Sequence, residues 1–101
     1  MTIETLEIHA RFRLGQIVAT RGAMEVLGGA DGDPRLAIML LARHAAGDCG
    51  DMDDEDKDTN EEAIRHGNRV MSVYRLIGGA TVWVMTEADR SVTTFLLPDE
   101  Y

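Results

Sequence analysis

The sequence predicts one α+β domain, a three-stranded antiparallel meander with two to three helices packed on one face. Three observations predict it. The last third of the chain carries three runs rich in Val, Thr, Met and aromatic residues, separated by turn residues. The stretch before it repeats apolar residues three and four apart, as a helix does. And 101 residues with 45% apolar content fill one core but not two, so the whole of 1–101 is expected to be a single domain.

Taken in order, residues 1–12 alternate loosely through Ile3, Leu6, Ile8, Ala10 and Phe12, as an N-terminal strand or a loose arm does. Leu14 to Ala19 reads as a short strand or an extended entry. Thr20 is a good N-cap for a short helix over about 21–27, which Gly28-Gly29 stop. Asp33 caps a second helix over about 34–46, with Pro34 at the first helical position, where its missing donor costs nothing. Its Leu36, Met39, Leu40 and Arg43 fall on one side, and Ile38 and Leu41 widen the apolar face. A third helix over about 53–66 starts at Asp53, has only Ala63 and Ile64 to bury, and stops at Gly67. The strands then run over about 69–77, 80–86 and 91–97, joined by Gly78-Gly79 and by Glu87-Ala88-Asp89-Arg90.

The charge is unevenly distributed. The chain has 18 acidic and 10 basic residues, a net charge of −8. Between 48 and 62 nine acids face Lys57 alone, and the other 86 residues hold nine acids and nine bases. A neutral body therefore carries one acidic segment. Direct binding to nucleic acid through it is excluded as a driving contact, because that contact needs basic residues to displace counterions. A basic protein surface or a metal is the natural partner of such a segment, and the protein surface is the favoured one, through Asp48, Asp51, Asp53, Asp54, Glu55, Asp58, Glu61 and Glu62. With one cysteine, Cys49, no secretory leader and no apolar run near the ~20 residues a membrane span needs, a reduced, cytoplasmic protein without membrane contact is expected.

Three constellations have the residue types of a reactive or binding site. His44, Asp48, Cys49 and Asp51 fall within eight residues, but transition-metal sites need two or more Cys or His at fixed spacing, so a helix C-terminus with a glycine turn is expected there. Asp51, Asp53, Glu55 and Glu62 match positions one, three, five and twelve of a calcium loop, yet Asp56 stands where that loop's sharp turn needs Gly. No metal and no cofactor are expected. The third constellation, around Thr86, Glu87, Asp89, Arg90, Ser91 and Thr93, suits either a plain capped turn or a ligand-binding turn in which Arg90 fixes an anionic group. Neither a nucleophile–base spacing nor a phosphate-cradling glycine loop is present, so an enzyme is not the favoured reading. Trp83 is expected in the core or at an interface.

Three stretches together resemble a known family. They are Leu14-Gly15-Gln16-Ile17-Val18-Ala19-Thr20; Arg43-His44-Ala45-Ala46-Gly47-Asp48-Cys49-Gly50-Asp51 with Glu55-Asp56 and Asn60; and the run from Trp83 to Thr94 with Leu96-Leu97-Pro98. The pattern is similar to a family of small uncharacterised proteins carried by plasmids, integrative elements and phages, often labelled as a type I restriction endonuclease subunit. The resemblance covers about 13–101. The label itself does not fit, because 101 residues cannot hold a methyltransferase. Two departures are Cys49, where the family pattern has Trp, and Arg21, where it has Pro. The resemblance implies an accessory gene of a mobile element, and such genes often counter host defence; it assigns no catalytic residues.

Two functions follow as expectations. One is a non-enzymatic counter-defence inhibitor, of anti-CRISPR or anti-restriction type, that places the acidic segment on the basic groove of a host nucleic-acid-binding complex. The alternative is a small-molecule or nucleotide binder in which His44, Asp48 and Asp51 face Thr86, Glu87, Asp89, Arg90, Ser91 and Thr93 across a cleft. The oligomeric state is left open by the sequence.

Overall fold

A computed structural model describes residues 10–29 and 32–101. The elements are β1 (Gln16–Ala19), α1 (Arg21–Val26), α2 (Arg35–Ala45), α3 (Asp54–His66), β2 (Val70–Arg75), β3 (Thr81–Thr86) and β4 (Val92–Leu96), followed by a 3₁₀ turn, Pro98–Glu100. The class is α+β as expected, but the sheet has four strands in the order β1-β4-β3-β2. β2, β3 and β4 form the antiparallel meander, and β1 adds to β4 in parallel, Gln16 opposite Val92 through Ala19 opposite Phe95. The three-stranded expectation is corrected by this mixed sheet. Its cause is a non-local contact: Gly15 lies at φ +65°, and a Cβ there would sit 2.3 Å from the Ser91 carbonyl oxygen, so only glycine lets the chain come this close to β4. The expected arm or strand over 1–12 lies outside the described residues except for 10–12.

Capping chemistry sets the helix starts. Thr20 accepts from the Ala23 amide (3.2 Å) and Asp53 from the Asp56 amide (2.8 Å). Asp33 accepts from the Arg35 amide at 2.9 Å, which leaves Pro34 at a position where no donor is required. Gly67 closes α3 at φ +72°. The expected first strand of the meander is shorter than 69–77, because Leu76 and Ala80 already close the hairpin and leave Ile77 at its exposed tip.

One face of the sheet carries Val70, Ser72, Tyr74, Val82, Val84, Thr86, Thr93 and Phe95, all buried, with α1 and α2 over it. Ala23, Leu40, Tyr74, Val82, Val84 and Phe95 form its apolar centre. Burial of a side chain such as Leu40 contributes about 1.5–3 kcal/mol. Two features lie outside the layer formed by this face and its helices. Trp83 is half-buried on the opposite face, edge-on to Tyr101 at 5.6 Å. And α3 runs beside the edge of β2, burying only Asn60 and Ala63.

Candidate functional site

The acidic segment divides into residues that build the fold and residues that do not. Along the outer edge of β2, every outward amide has a partner. Met71 N donates to Asn60 Oδ1 (2.8 Å), Val73 N to the Cys49 carbonyl (3.0 Å) and Arg75 N to Asp51 Oδ2 (2.8 Å). The Asp51 amide donates back to the Val73 carbonyl at 2.7 Å. Gly50 permits this close approach: it lies at φ +76°, and a Cβ would fall 2.2 Å from the Val73 carbonyl oxygen. Edge strands left bare pair with other chains, and this edge is closed by the start of the acidic segment.

Asp48 is tied down as well. It ion-pairs with Arg43 (2.8 Å) and accepts from the Gly50 amide (3.1 Å), so the Arg43 guanidinium holds its carboxyl below the usual range. Its carbonyl accepts from the Tyr74 hydroxyl at 2.6 Å, and burial pushes that phenol up to about 12. Glu61 receives both Arg11 guanidinium donors, at 2.7 and 2.6 Å, which lowers its carboxyl too.

The rest of α3 faces outward. At 3.6 residues per turn Asp54, Asp58 and Glu62 stand one above another, with Glu55 beside them, on the side opposite the buried Asn60 and Ala63. Asp54, Glu55 and Asp58 are exposed and have no side-chain hydrogen bond or ion pair among the described residues, and Glu62 meets only His66, at 3.0 Å. Asp56 points the other way, toward a groove shared with Met52, Thr59, Asn60, Arg69 and Met71. The nearby Asp53 carboxylate raises its carboxyl above the ordinary value. Of the eight expected contact residues, then, Asp54, Glu55, Asp58 and Glu62 share one exposed stripe, while Asp48, Asp51, Asp53 and Glu61 hold the scaffold.

Of the alternative ligand-binding set, His44, Thr86 and Thr93 are brought together, but as a closed chain of hydrogen bonds. His44, fully buried, has Nδ1 2.6 Å from Ser72 Oγ and Nε2 2.8 Å from Thr86 Oγ1. Thr86 Oγ1 lies 2.7 Å from Thr93 Oγ1, which donates to the Leu14 carbonyl at 2.7 Å. That carbonyl can only accept, so it fixes the protons as far as Nε2. Thr93 gives its proton to Leu14, so Thr86 donates to Thr93 and His44 donates from Nε2 to Thr86. Burial first, and then the positive charge of Arg90, push the imidazole pKa down to about 4. At neutral pH the ring is therefore the Nε2–H tautomer, and Ser72 donates to Nδ1. Phe12 packs edge-on to the imidazole at 5.2 Å, and the Arg90 guanidinium lies over the Phe12 ring, also at 5.2 Å.

Arg90 itself sits at φ +60° and donates to the carbonyls of Asn68 (2.7 Å), Glu87 (3.2 Å) and Ala63 (3.2 Å). It ties the end of α3 to the β3–β4 turn. Asp89 accepts from the Ser91 amide and hydroxyl, which lowers its carboxyl, and Glu87 pairs with Arg69 at 3.2 Å. Among the described residues no buried side-chain polar atom lacks a partner, and no group of three His, Cys, Asp or Glu is arranged to hold a metal. His44 thus meets Thr86, and through it Thr93, but Asp48 and Asp51 lie apart from them at the β2 edge. Sequence reasoning missed Ser72 and Tyr74 as partners of this loop; their alternation onto the helix-covered face is the signal that points to them.

Comparison with family models, with curated proteins and with solved structures finds no match for the chain. None of its described helices is long and apolar enough to cross a membrane.

Proposed function

We propose that the protein is a non-enzymatic binding module that docks the outward face of α3 onto a basic, nucleic-acid-binding surface of another protein. The observation that carries this reading is the stripe of Asp54, Asp58 and Glu62 with Glu55. Like charges four apart on a helix destabilise it by about 0.2–0.5 kcal/mol per pair. Asp54 and Glu55 gain from the positive end of the α3 dipole, but Asp58 and Glu62 lie beyond its first turn. A stripe with no side-chain bond outside α3 among the described residues fits a role outside the fold. Opposed potentials across an interface speed encounter and fix register, and a rod of carboxylates on a neutral body can occupy a groove built for phosphates. The resemblance to proteins of mobile elements makes a host defence complex the partner of choice, and inhibition of CRISPR or restriction machinery the outcome.

The small-molecule reading is less well supported, since the polar groups it needs are satisfied by one another. The test replaces Asp54, Asp58 and Glu62 by Lys and leaves the cap Asp53 intact. The variant is expected to stay folded by circular dichroism and to lose protection of an incoming plasmid or phage in the native host. Unchanged protection overturns the proposal.

A further inference from the structure

The two edges of the sheet are treated in opposite ways. Every outward amide of β2 is bonded, as described above. β1 is bare among the described residues: Gln16 N donates to Ser91 O and Thr20 N to Phe95 O, so residues 16, 18 and 20 face β4, and the amides and carbonyls of Ile17 and Ala19 point away from the sheet. The edge is also apolar. Ile17 is 43% exposed and Val18 36%, and Met24 on α1 is 46% exposed. Beside them lies a mostly apolar cavity of about 300 Å³ lined by Ile17, Met24, Leu27, Ala37 and Phe95 among others. None of the edge-blocking devices expected of a solitary strand, a Lys, a Pro or a bulge, occurs in Gln16-Ile17-Val18-Ala19.

We propose that β1 pairs antiparallel with β1 of a second copy of the chain, joining two four-stranded sheets into one of eight. The strand is self-complementary in register. With Val18 opposite its own copy on the two-fold axis, Ile17 faces Ala19 of the second copy, and each of these two pairs exchanges two backbone hydrogen bonds. All four outward groups on each copy are then satisfied. The two Val18 side chains meet on one face of the joined sheet, while Ile17 and the apolar cavity meet the second copy on the other.

Charge placement favours this occupant. The acidic segment is attached to the β2 edge, three strands away from β1. In the joined sheet the two β2 strands are seven spacings apart, about 34 Å at ~4.8 Å each, which is several screening lengths of about 8 Å. Two chains of charge −8 can thus approach through β1 without bringing their acidic segments together. The acidic stripes end at opposite poles of the dimer. This inference is independent of what those stripes bind.

The full chain is tested by sedimentation equilibrium from low to high micromolar concentration, with hydrogen exchange of the Ile17 and Ala19 amides. A dimer is expected, with both amides protected as it forms. Val18→Lys puts two like charges on the axis at a partly exposed site, and Ile17→Pro removes an outward donor that β4 does not use. Each is expected to weaken dimerisation about tenfold or more with the helical signal retained. A monomer with exposed amides overturns the proposal. So does a monomer with protected amides, which assigns the edge to residues 1–9, and so does a dimer that neither variant weakens.

Discussion

Acid should unfold this protein through His44. The imidazole lies at zero exposure between two hydroxyls, with its pKa lowered to about 4, whereas in the unfolded chain it titrates near 6.5. The fold therefore excludes a proton that the unfolded chain takes up. Stability from this group is fully present above pH 6.5 and is lost as the pH falls from 6.5 toward 4. A gap of about 2.5 units at 1.36 kcal/mol each amounts to about 3 kcal/mol, a large share of the ~5–15 kcal/mol that holds a domain together. Other carboxylates titrate over the same range, so the contribution must be isolated. Urea unfolding of the wild type and of His44→Gln, each at pH 7.5 and pH 4, does this. Gln cannot gain the proton, and it keeps one donor and one acceptor for the flanking hydroxyls. At pH 7.5 the wild type should be the more stable, and between the two pH values it should lose about 3 kcal/mol more than the variant. Equal losses would refute the reasoning, as would a His44 resonance titrating near 6.5.

Further consequences can be measured separately. Nitrogen chemical shifts of His44 should report the Nε2–H tautomer at pH 7.5, since the Leu14 carbonyl dictates it; the Nδ1–H form would show that the chain of bonds runs otherwise. Asn60→Ala should cost about 1–3 kcal/mol in chemical denaturation, because it leaves the Met71 amide without its partner at a part-buried site. Glu61→Gln should change the denaturation midpoint less than Asn60→Ala does, since the pair with Arg11 is more than a third exposed on both sides. Asp58→Lys should leave the melting temperature unchanged or raise it, because it converts two like-charged pairs on α3 into opposite ones, whereas Asp53→Ala should lower stability by ~1 kcal/mol through loss of the cap.

The meander and the helix caps were legible because their signals are local. Thr20, Asp33 and Asp53 each act on an amide two or three residues away, and the strands are runs of β-branched and aromatic residues between turn residues such as Gly78-Gly79. What could not be read depends on distant partners. Nothing in Gln16-Ile17-Val18-Ala19 states that it lies parallel to Val92–Leu96, and the need for Gly15 arises from Ser91, 76 positions later. The same holds within the acidic segment. Composition places nine carboxylates between 48 and 62 but does not separate Asp51, which closes a sheet edge, or Glu61, which is held by Arg11, from the outward Asp54 and Asp58. The run from His44 to Asp51 reads as a helix end with a glycine turn, but the buried chain that His44 joins, Ser72, Thr86 and beyond it Thr93, comes from three different strands.

The outward stripe of α3 is tested most directly by capture from the native host. The wild type and the Asp54→Lys, Asp58→Lys, Glu62→Lys variant are immobilised at equal loading, and retained proteins are identified at low and at raised salt. The wild type should retain a nucleic-acid-binding complex that salt releases and that the variant does not hold. The same proteins on both surfaces, or a retained partner indifferent to salt, would contradict an electrostatic contact through these carboxylates.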